Sequence, residues 1–141
     1  MGGPRRVLLA IAGGRDVEPG VRAAAAAAKG EGARVMIVHV AQAIFGLNGE
    51  AYIESDAEIQ ATMATAIALV EQAGVTAEGM VAHAGPVAKS LAEIAAGWNA
   101  DLIVVGSSRM GDVGSLVLGS VSHNLLHGTD RPVLIAERVK S

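Results

Sequence analysis

The chain has 141 residues, the usual size of one domain, and its formal net charge is −3. It contains no cysteine, which excludes disulfides, thiolate nucleophiles and thiolate metal sites. A nucleic-acid partner is not expected, because the chain lacks a basic cluster for phosphates and its three aromatic rings, Phe45, Tyr52 and Trp98, are too few for base stacking.

Hydrophobic residues make up 51% of the chain, but they are dispersed among glycines and charged residues. No run reaches the ~18 apolar residues of a membrane-spanning helix. The apolar stretch of residues 7–12 is also shorter than a signal-peptide core, and it leads into Gly13-Gly14 rather than a cleavage site. We therefore expect a cytoplasmic protein without a membrane partner.

Short apolar runs bounded by turn residues predict strands that are buried on both faces of a sheet. In chain order the predicted strands cover residues 7–12, 34–40, 76–84, 102–106 and 132–136. The third of these is weaker because Gly79 interrupts it, so we place it near a sheet edge.

Helical patterns fill the gaps between the predicted strands. Pro19 stands at the start of an alanine-rich helix, and Ser55 with Glu58 forms a capping box ahead of an amphipathic helix. An apolar stripe that ends at Trp98 indicates a third helix, and a fourth is expected to stop at Gly128. The predicted helices cover residues 19–29, 55–73, 87–98 and 120–127.

Strict alternation of strand and helix predicts a parallel sheet with right-handed crossovers, and hence a three-layer α/β/α sandwich. We expect one domain over residues 1–141. Two long irregular segments, 41–54 and 107–118, follow predicted strands. Loops that leave the carboxyl ends of strands are where open α/β sheets bind ligands, so these segments are the places to look for a site.

The Gly- and Ser-rich stretch from Gly106 to Ser122 carries the strongest functional signal. A buried strand ends at Gly106, and Gly119-Ser120 opens a helix. Glycines let backbone N–H groups approach an anion, the helix start supplies unpaired donors, and Ser120 and Ser122 add hydroxyls. The stretch can form a phosphate-binding loop, although its composition alone is more typical of a flexible loop before an ordinary capped helix.

In these residues the chain resembles the universal stress proteins, and the resemblance covers essentially its whole length. Family members that bind ATP carry Gly, two residues, Gly, nine residues, and then Gly with Ser or Thr; Gly106 and Gly119-Ser120 match this spacing. The flanking segments 101–107, 118–123 and 131–135 are similar to the family as well. The resemblance implies a five-stranded parallel sheet with strand order 3-2-1-4-5, of the adenine nucleotide alpha hydrolase-like type.

The resemblance also implies a site for ATP or another adenine nucleotide, with or without Mg²⁺. Val40 is similar to the residue whose backbone meets adenine, and Gly85-Pro86 to a turn beside the base pocket. The full set of implied site residues is Ala12, Gly13, Val40, Gly106, Ser107, Arg109, Gly111, Gly119, Ser120, Val121 and Ser122.

Two positions depart from the pattern of the nucleotide-binding members. Arg109 occupies the place of the second motif glycine; it either blocks the approach of a phosphate, leaving Gly111 to take over, or contacts the anion directly through its guanidinium. Ala12 stands where binding members commonly carry Asp, so one polar anchor near the nucleoside is missing. Asp16 lies close by, but a helix cap explains it better.

The resemblance implies a homodimer through the last strand, residues 132–136. No residue of the motif is an obvious general base, so we expect a regulatory binding module rather than an enzyme, with slow ATP hydrolysis at most. A family member that acts through protein contacts without a nucleotide is the main alternative, and a transferase of the related hydrolase type is a weaker one. His123 and His127 lack a third metal ligand, and His39 and His83 are best explained as strand-end histidines.

Overall fold

Five parallel strands form the main sheet of the computed structural model, which describes residues 5–11, 17–28, 30–41, 43–46, 49–52, 55–83, 87–106 and 124–136. In chain order the strands are β1 (Arg6–Ile11), β2 (Arg34–Ala41), β3 (Ala43–Gly46), β4 (Gly49–Tyr52), β5 (Thr76–His83), β6 (Leu102–Gly106) and β7 (Val133–Ala136). The helices are α1 (Glu18–Ala27), α2 (Asp56–Gln72) and α3 (Val87–Trp98), and residues 124–128 are helical as well.

The main sheet has the order β5-β2-β1-β6-β7, and all four of its strand pairs are parallel. Counting only the strands of this sheet, the order is 3-2-1-4-5. The predicted fold class is therefore confirmed, and so are the edge positions of the third and the last predicted strand.

The core lies on both faces of this sheet, as the continuous apolar runs predict. Odd-numbered residues of β1, such as Leu9, pack with α1 and α2, whereas even-numbered residues, such as Leu8, pack with α3 and Leu125. Both leucines are completely buried. Full burial of such a side chain stabilises a fold by roughly 1.5–3 kcal/mol, so β1 anchors both helical layers.

The helix starts follow the local signals in the sequence. Ser55 Oγ accepts a hydrogen bond from the Glu58 backbone N–H, and Glu58 Oε1 accepts one from the Ser55 N–H, both at 3.2 Å. The predicted capping box of α2 is therefore present. The N-cap of α1 is Val17, one residue after the expected Asp16, which itself lies outside the described residues.

Gly79 interrupts the apolar pattern of β5 because α2 lies very close to this strand. A β-carbon at position 79 would lie 2.7 Å from Met63 Sδ and 3.3 Å from Ile67 Cδ1. Gly79 nevertheless pairs in register with Ile37 of β2. The glycine therefore reflects a close helix–strand contact and not a break in the strand.

The prediction of an irregular segment over residues 41–54 was wrong. β3 and β4 form a separate antiparallel two-stranded sheet in which Ala43 pairs with Tyr52 and Gly46 with Gly49. Each strand has only four residues and is bounded by glycine, which is too short for an alternating pattern to stand out.

Most of the remaining described boundaries agree with the predictions or differ by one residue, but α1 ends at Ala27, two residues before the predicted end. β7 begins at Val133 rather than Pro132, and the last helical segment includes Gly128 instead of stopping before it. The expected start of that helix, Ser120, lies outside the described residues. None of the helices in the described ranges is long and apolar enough to cross a membrane.

Candidate functional site

The strand order reverses at β1, and this creates the candidate site. β1 pairs with β2 on one side and with β6 on the other. β1 and β6 are therefore adjacent, but the chain goes from β1 to β2 on one side of the sheet and from β6 to β7 on the other side. In open α/β sheets a ligand crevice forms at this switch point, outside the carboxyl ends of the strands.

Two of the predicted site residues are described, and both lie at this carboxyl edge. Val40 is the penultimate residue of β2 and pairs with Ala82 of β5. Gly106 is the last residue of β6 and pairs with Ala136 of β7. β1, which ends at Ile11, lies between them. The strand order thus places Val40 and Gly106 on either side of β1 at the carboxyl edge.

The other predicted site residues lie outside the described residues, so their roles stay predictions. Ala12 and Gly13 follow Ile11 in the chain, and Ser107 follows Gly106. The two segments that carry the predicted contacts therefore start from neighbouring strands. The predicted residues outside the described ranges, together with the turn beside the base pocket, are Ala12, Gly13, Gly85, Pro86, Ser107, Arg109, Gly111, Gly119, Ser120, Val121 and Ser122.

A buried histidine lies near the carboxyl edge of the main sheet, level with the last residue of β1. His39 pairs with Ile11 on one side and with Val81 on the other. Its side chain is completely buried, and it is the only buried polar side chain among the described residues. Burial of an imidazole costs free energy unless it is hydrogen-bonded. His39 is therefore a polar group in an otherwise apolar part of the core.

The sequence reading of His39 as an ordinary strand-end residue missed this burial. The signal was available, because Val35, Ile37 and His39 alternate along β2 and the first two face the core. The other strand-end histidine, His83, lies on the neighbouring β5 and is opposite Ala41.

No three or more His, Asp or Glu side chains come together as a potential metal site in the part of the chain that the structure describes. His127 is exposed on its short helical segment, and His123 lies outside the described residues. The described residues at the carboxyl edge offer a ligand the backbone groups at the ends of β1, β2 and β6.

Comparison with known proteins agrees with this architecture. The model of the universal stress protein family matches residues 3–137. A Thermus aquaticus protein, "Universal stress protein in QAH/OAS sulfhydrylase 3'region", is 32% identical over 136 residues, which cover 93% of this chain and 97% of that protein.

Two solved structures share the fold over nearly the whole chain. The universal stress protein from Archaeoglobus fulgidus in complex with dAMP has a TM-score of 0.67 at 19% identity and covers 93% of this chain and 96% of its own. A universal stress protein in complex with cAMP has a TM-score of 0.63 at 25% identity, with coverages of 95% and 97%. The match of the family model over nearly all residues, together with the Thermus relative, shows that this chain belongs to the universal stress protein family.

Proposed function

We propose that this protein is a regulatory module that binds an adenine nucleotide in the crevice between the carboxyl ends of β1 and β6. The observation that carries the proposal is the reversal of strand order at β1, which starts the segments after Ile11 and Gly106 from adjacent strands. Two relatives support the ligand class, because their structures contain dAMP and cAMP.

The residues divide by the part of the nucleotide they contact. Glycines and hydroxyls after β6 suit the phosphates, since they offer backbone N–H groups and short donors without bulk. The backbone of Val40, with the segment after Ile11, suits the adenosine. The proposed phosphate contacts are Gly106, Ser107, Gly119, Ser120 and Ser122, and the proposed adenosine contacts are Ala12, Gly13 and Val40.

The ligand class extends from AMP-type nucleotides to ATP, and ATP would bring Mg²⁺ with its phosphates. Arg109 supplies a guanidinium at a motif position that otherwise carries glycine, and such a group favours an anionic ligand through paired N–H donors. We propose binding without efficient turnover, because the motif contains no evident general base to activate a water molecule. We also propose that the protein works in the cytoplasm.

A second candidate function is a family member that acts through protein contacts without a nucleotide. The replacement of the second motif glycine by Arg109 and of the usual aspartate by Ala12 favours it. The two functions differ in one measurable property, the response of the folded state to adenine nucleotides.

Thermal melting with cAMP, AMP and ATP, the last with and without Mg²⁺, tests the proposed ligand. A ligand that binds only the folded state raises the melting temperature as its concentration exceeds its Kd. We expect such a rise with at least one of these nucleotides, and we expect Gly119→Val to abolish it while the unliganded protein still folds. Gly97→Val is the matched control, since a β-carbon at position 97 has no atom within 4 Å.

No rise with any of these nucleotides at millimolar concentration would favour the second candidate function. A rise that persists unchanged in Gly119→Val would place the nucleotide elsewhere on the protein. A rise that is lost in Gly97→Val as well would indicate a general loss of stability and would count against the assignment to the glycine-rich loop.

We further propose a homodimer across β7. β7 is an edge strand, and edge strands expose unpaired backbone groups that pair readily with another chain. Ile103 N–H donates to the Pro132 carbonyl at 2.9 Å, so by alternation the backbone groups of Val133 and Ile135 point away from β6. Leu134 is 41% exposed on this strand. Pairing of two β7 strands would provide partners for these backbone groups and would reduce the exposure of Leu134.

We expect light scattering after size exclusion to give about twice the chain mass of 14.2 kDa for the natural sequence at micromolar concentration. Leu134→Lys should give the single-chain mass, because strand pairing around a two-fold axis would bring two like charges together. Leu126→Lys changes another exposed leucine away from the strand and should leave the dimer intact. A single-chain mass for the natural sequence would contradict the proposed dimer.

A further inference from the structure

Three arginines line an open cavity at the amino edge of the main sheet, opposite the proposed nucleotide site. The cavity has a volume of about 490 Å³, and its arginines are Arg5, Arg6 and Arg34. Arg6 and Arg34 are the first residues of the adjacent strands β1 and β2, and Arg5 directly precedes β1. Glu31 and Asp101 also line it. Three positive and two negative side chains give the lining a net charge of +1, whereas the protein as a whole has a net charge of −3.

Two of these arginines are direct neighbours. Arg6 and Arg34 are register partners in the parallel pair of β1 and β2, and register partners present their side chains on the same face of a sheet. Like charges in this arrangement destabilise strand pairing unless an anion lies between or near them.

Asp101, one of the two carboxylates of the cavity, is held by the backbone at the start of β1. Asp101 Oδ2 accepts hydrogen bonds from the backbone N–H groups of Arg5 and Arg6 at 3.0 and 2.9 Å. Arg34 reaches Glu78 only at 3.7 Å, and both side chains are nearly half exposed. Such a pair contributes little, since water and salt screen it.

The guanidinium groups therefore retain N–H donors that a ligand could use. Arg6 Nη1 donates to the Trp98 carbonyl at 2.7 Å, and its guanidinium carbon lies 5.8 Å from the centre of the Trp98 ring, which fixes its orientation. The guanidinium of Arg5 has no hydrogen-bond or ion-pair acceptor within the described ranges. Guanidinium groups that are held in place, as in Arg6, or that lack an acceptor, as in Arg5, are a usual means of binding phosphate and carboxylate.

We propose that this cavity is a second ligand site, which binds a small polyvalent oxyanion of the phosphate or carboxylate class. Its volume falls in the range of pockets for small molecules, which favours a metabolite-sized anion over a macromolecular surface. β1 runs from Arg6 at this edge to Ile11 at the other, a distance of roughly 17 Å at about 3.3 Å per residue. The two sites are therefore separate.

Trp98 is the only tryptophan of the chain and reports on this cavity through its contact with Arg6. Pyrophosphate and citrate are the probes, each titrated into the full-length protein at constant ionic strength set with NaCl. We expect a saturable change in Trp98 emission with at least one of them. A response to pyrophosphate alone assigns the phosphate class, and a response to citrate alone assigns the carboxylate class.

The double variant Arg5→Gln/Arg34→Gln should weaken the apparent affinity at least tenfold. Both side chains are exposed, so the variant should keep the far-ultraviolet circular dichroism of the natural sequence; if it does not, each single variant is titrated in its place. Arg22→Gln, which removes an exposed arginine paired with Glu18 on α1, is the matched control and should bind like the natural sequence. Gly119→Val should also bind normally, because the nucleotide loop is not involved.

Three results would overturn the second site. The first is the absence of a saturable emission change with either probe, or an equal change with NaCl alone. The second is an unchanged affinity in the folded arginine variants. The third is loss of the response in Gly119→Val with retention in the arginine variants, which would assign the pyrophosphate to the nucleotide loop.

Discussion

Leu9→Ala is expected to lower the free energy of unfolding by about 3 kcal/mol, the usual cost of truncating a completely buried leucine. Leu9 lies on the central strand and is 0% exposed. A β-carbon at Gly20 of α1 would lie only 3.0 Å from Leu9 Cδ1, so the α1 backbone packs directly on this side chain and its truncation leaves a cavity between α1 and β1. Urea denaturation followed by circular dichroism measures the loss.

Leu126→Ala is the control for this prediction. Leu126 is 54% exposed, whereas its neighbour Leu125 is completely buried. Truncation of the exposed leucine should cost less than about 1 kcal/mol, because little apolar surface returns to water. Equal losses for Leu9→Ala and Leu126→Ala would contradict the packing of α1 against β1.

Asp101→Ala is expected to cost about 2 kcal/mol, although the residue lies at the surface. Its carboxylate accepts the N–H groups of Arg5 and Arg6, and its own N–H donates to the Arg6 carbonyl at 2.7 Å. Hydrogen bonds to a charged group are worth about 1.5–3 kcal/mol each, and exposure to water reduces the sum. The same denaturation experiment measures this loss of stability.

Asp130→Ala provides the comparison. The Asp130 side chain is 89% exposed and pairs with Arg131, its neighbour in the chain. Removal of this surface pair should change the free energy of unfolding by less than about 0.5 kcal/mol. If the two aspartate variants are equally stable, Asp101 does not hold the start of β1 to β6. Asp101→Asn should fall between the natural sequence and Asp101→Ala, since it keeps one acceptor oxygen.

The main sheet could be predicted because burial on both faces requires strands that are apolar throughout, and such runs are visible in the sequence. β1 is a continuous apolar run since α1 and α2 cover one face and α3 the other. The capping box at Ser55 marks the start of α2 by a local hydrogen-bond exchange that needs no tertiary contact. Such signals depend on near neighbours in the chain and are therefore visible in the sequence.

The β3–β4 hairpin and the cause of the glycine in β5 were not visible for the opposite reason. Four-residue strands offer too few positions for a period of two to emerge. The glycine at position 79 reads as a break in a strand, but the contact that requires it comes from Met63, which lies sixteen positions earlier on another element.

Some features of the candidate site and the arginine cavity could likewise be predicted from the sequence, and others could not. The spacing of Gly106 and Gly119-Ser120 could be recognised in the sequence because it resembles the motif of the ATP-binding family members. The pairing of Arg6 with Arg34 depends on the register between β1 and β2, which no local pattern specifies. The burial of His39, in contrast, could have been predicted from its alternation with Val35 and Ile37 along β2. No basic cluster was visible in the sequence, because Arg34 is distant in the chain from the adjacent Arg5 and Arg6 and joins them only in the folded sheet.

Backbone amide chemical shifts of the ¹⁵N-labelled protein, recorded with increasing cAMP, AMP or ATP, test most directly whether the nucleotide binds at the carboxyl edge. With at least one of these nucleotides we expect the amides of Ile11, Val40 and Gly106 to shift in a saturable way, while those of Arg34 and Asp101 at the opposite edge stay in place. Shifts confined to the amino edge, or none with any of the three at millimolar concentration, would contradict nucleotide binding between β1 and β6.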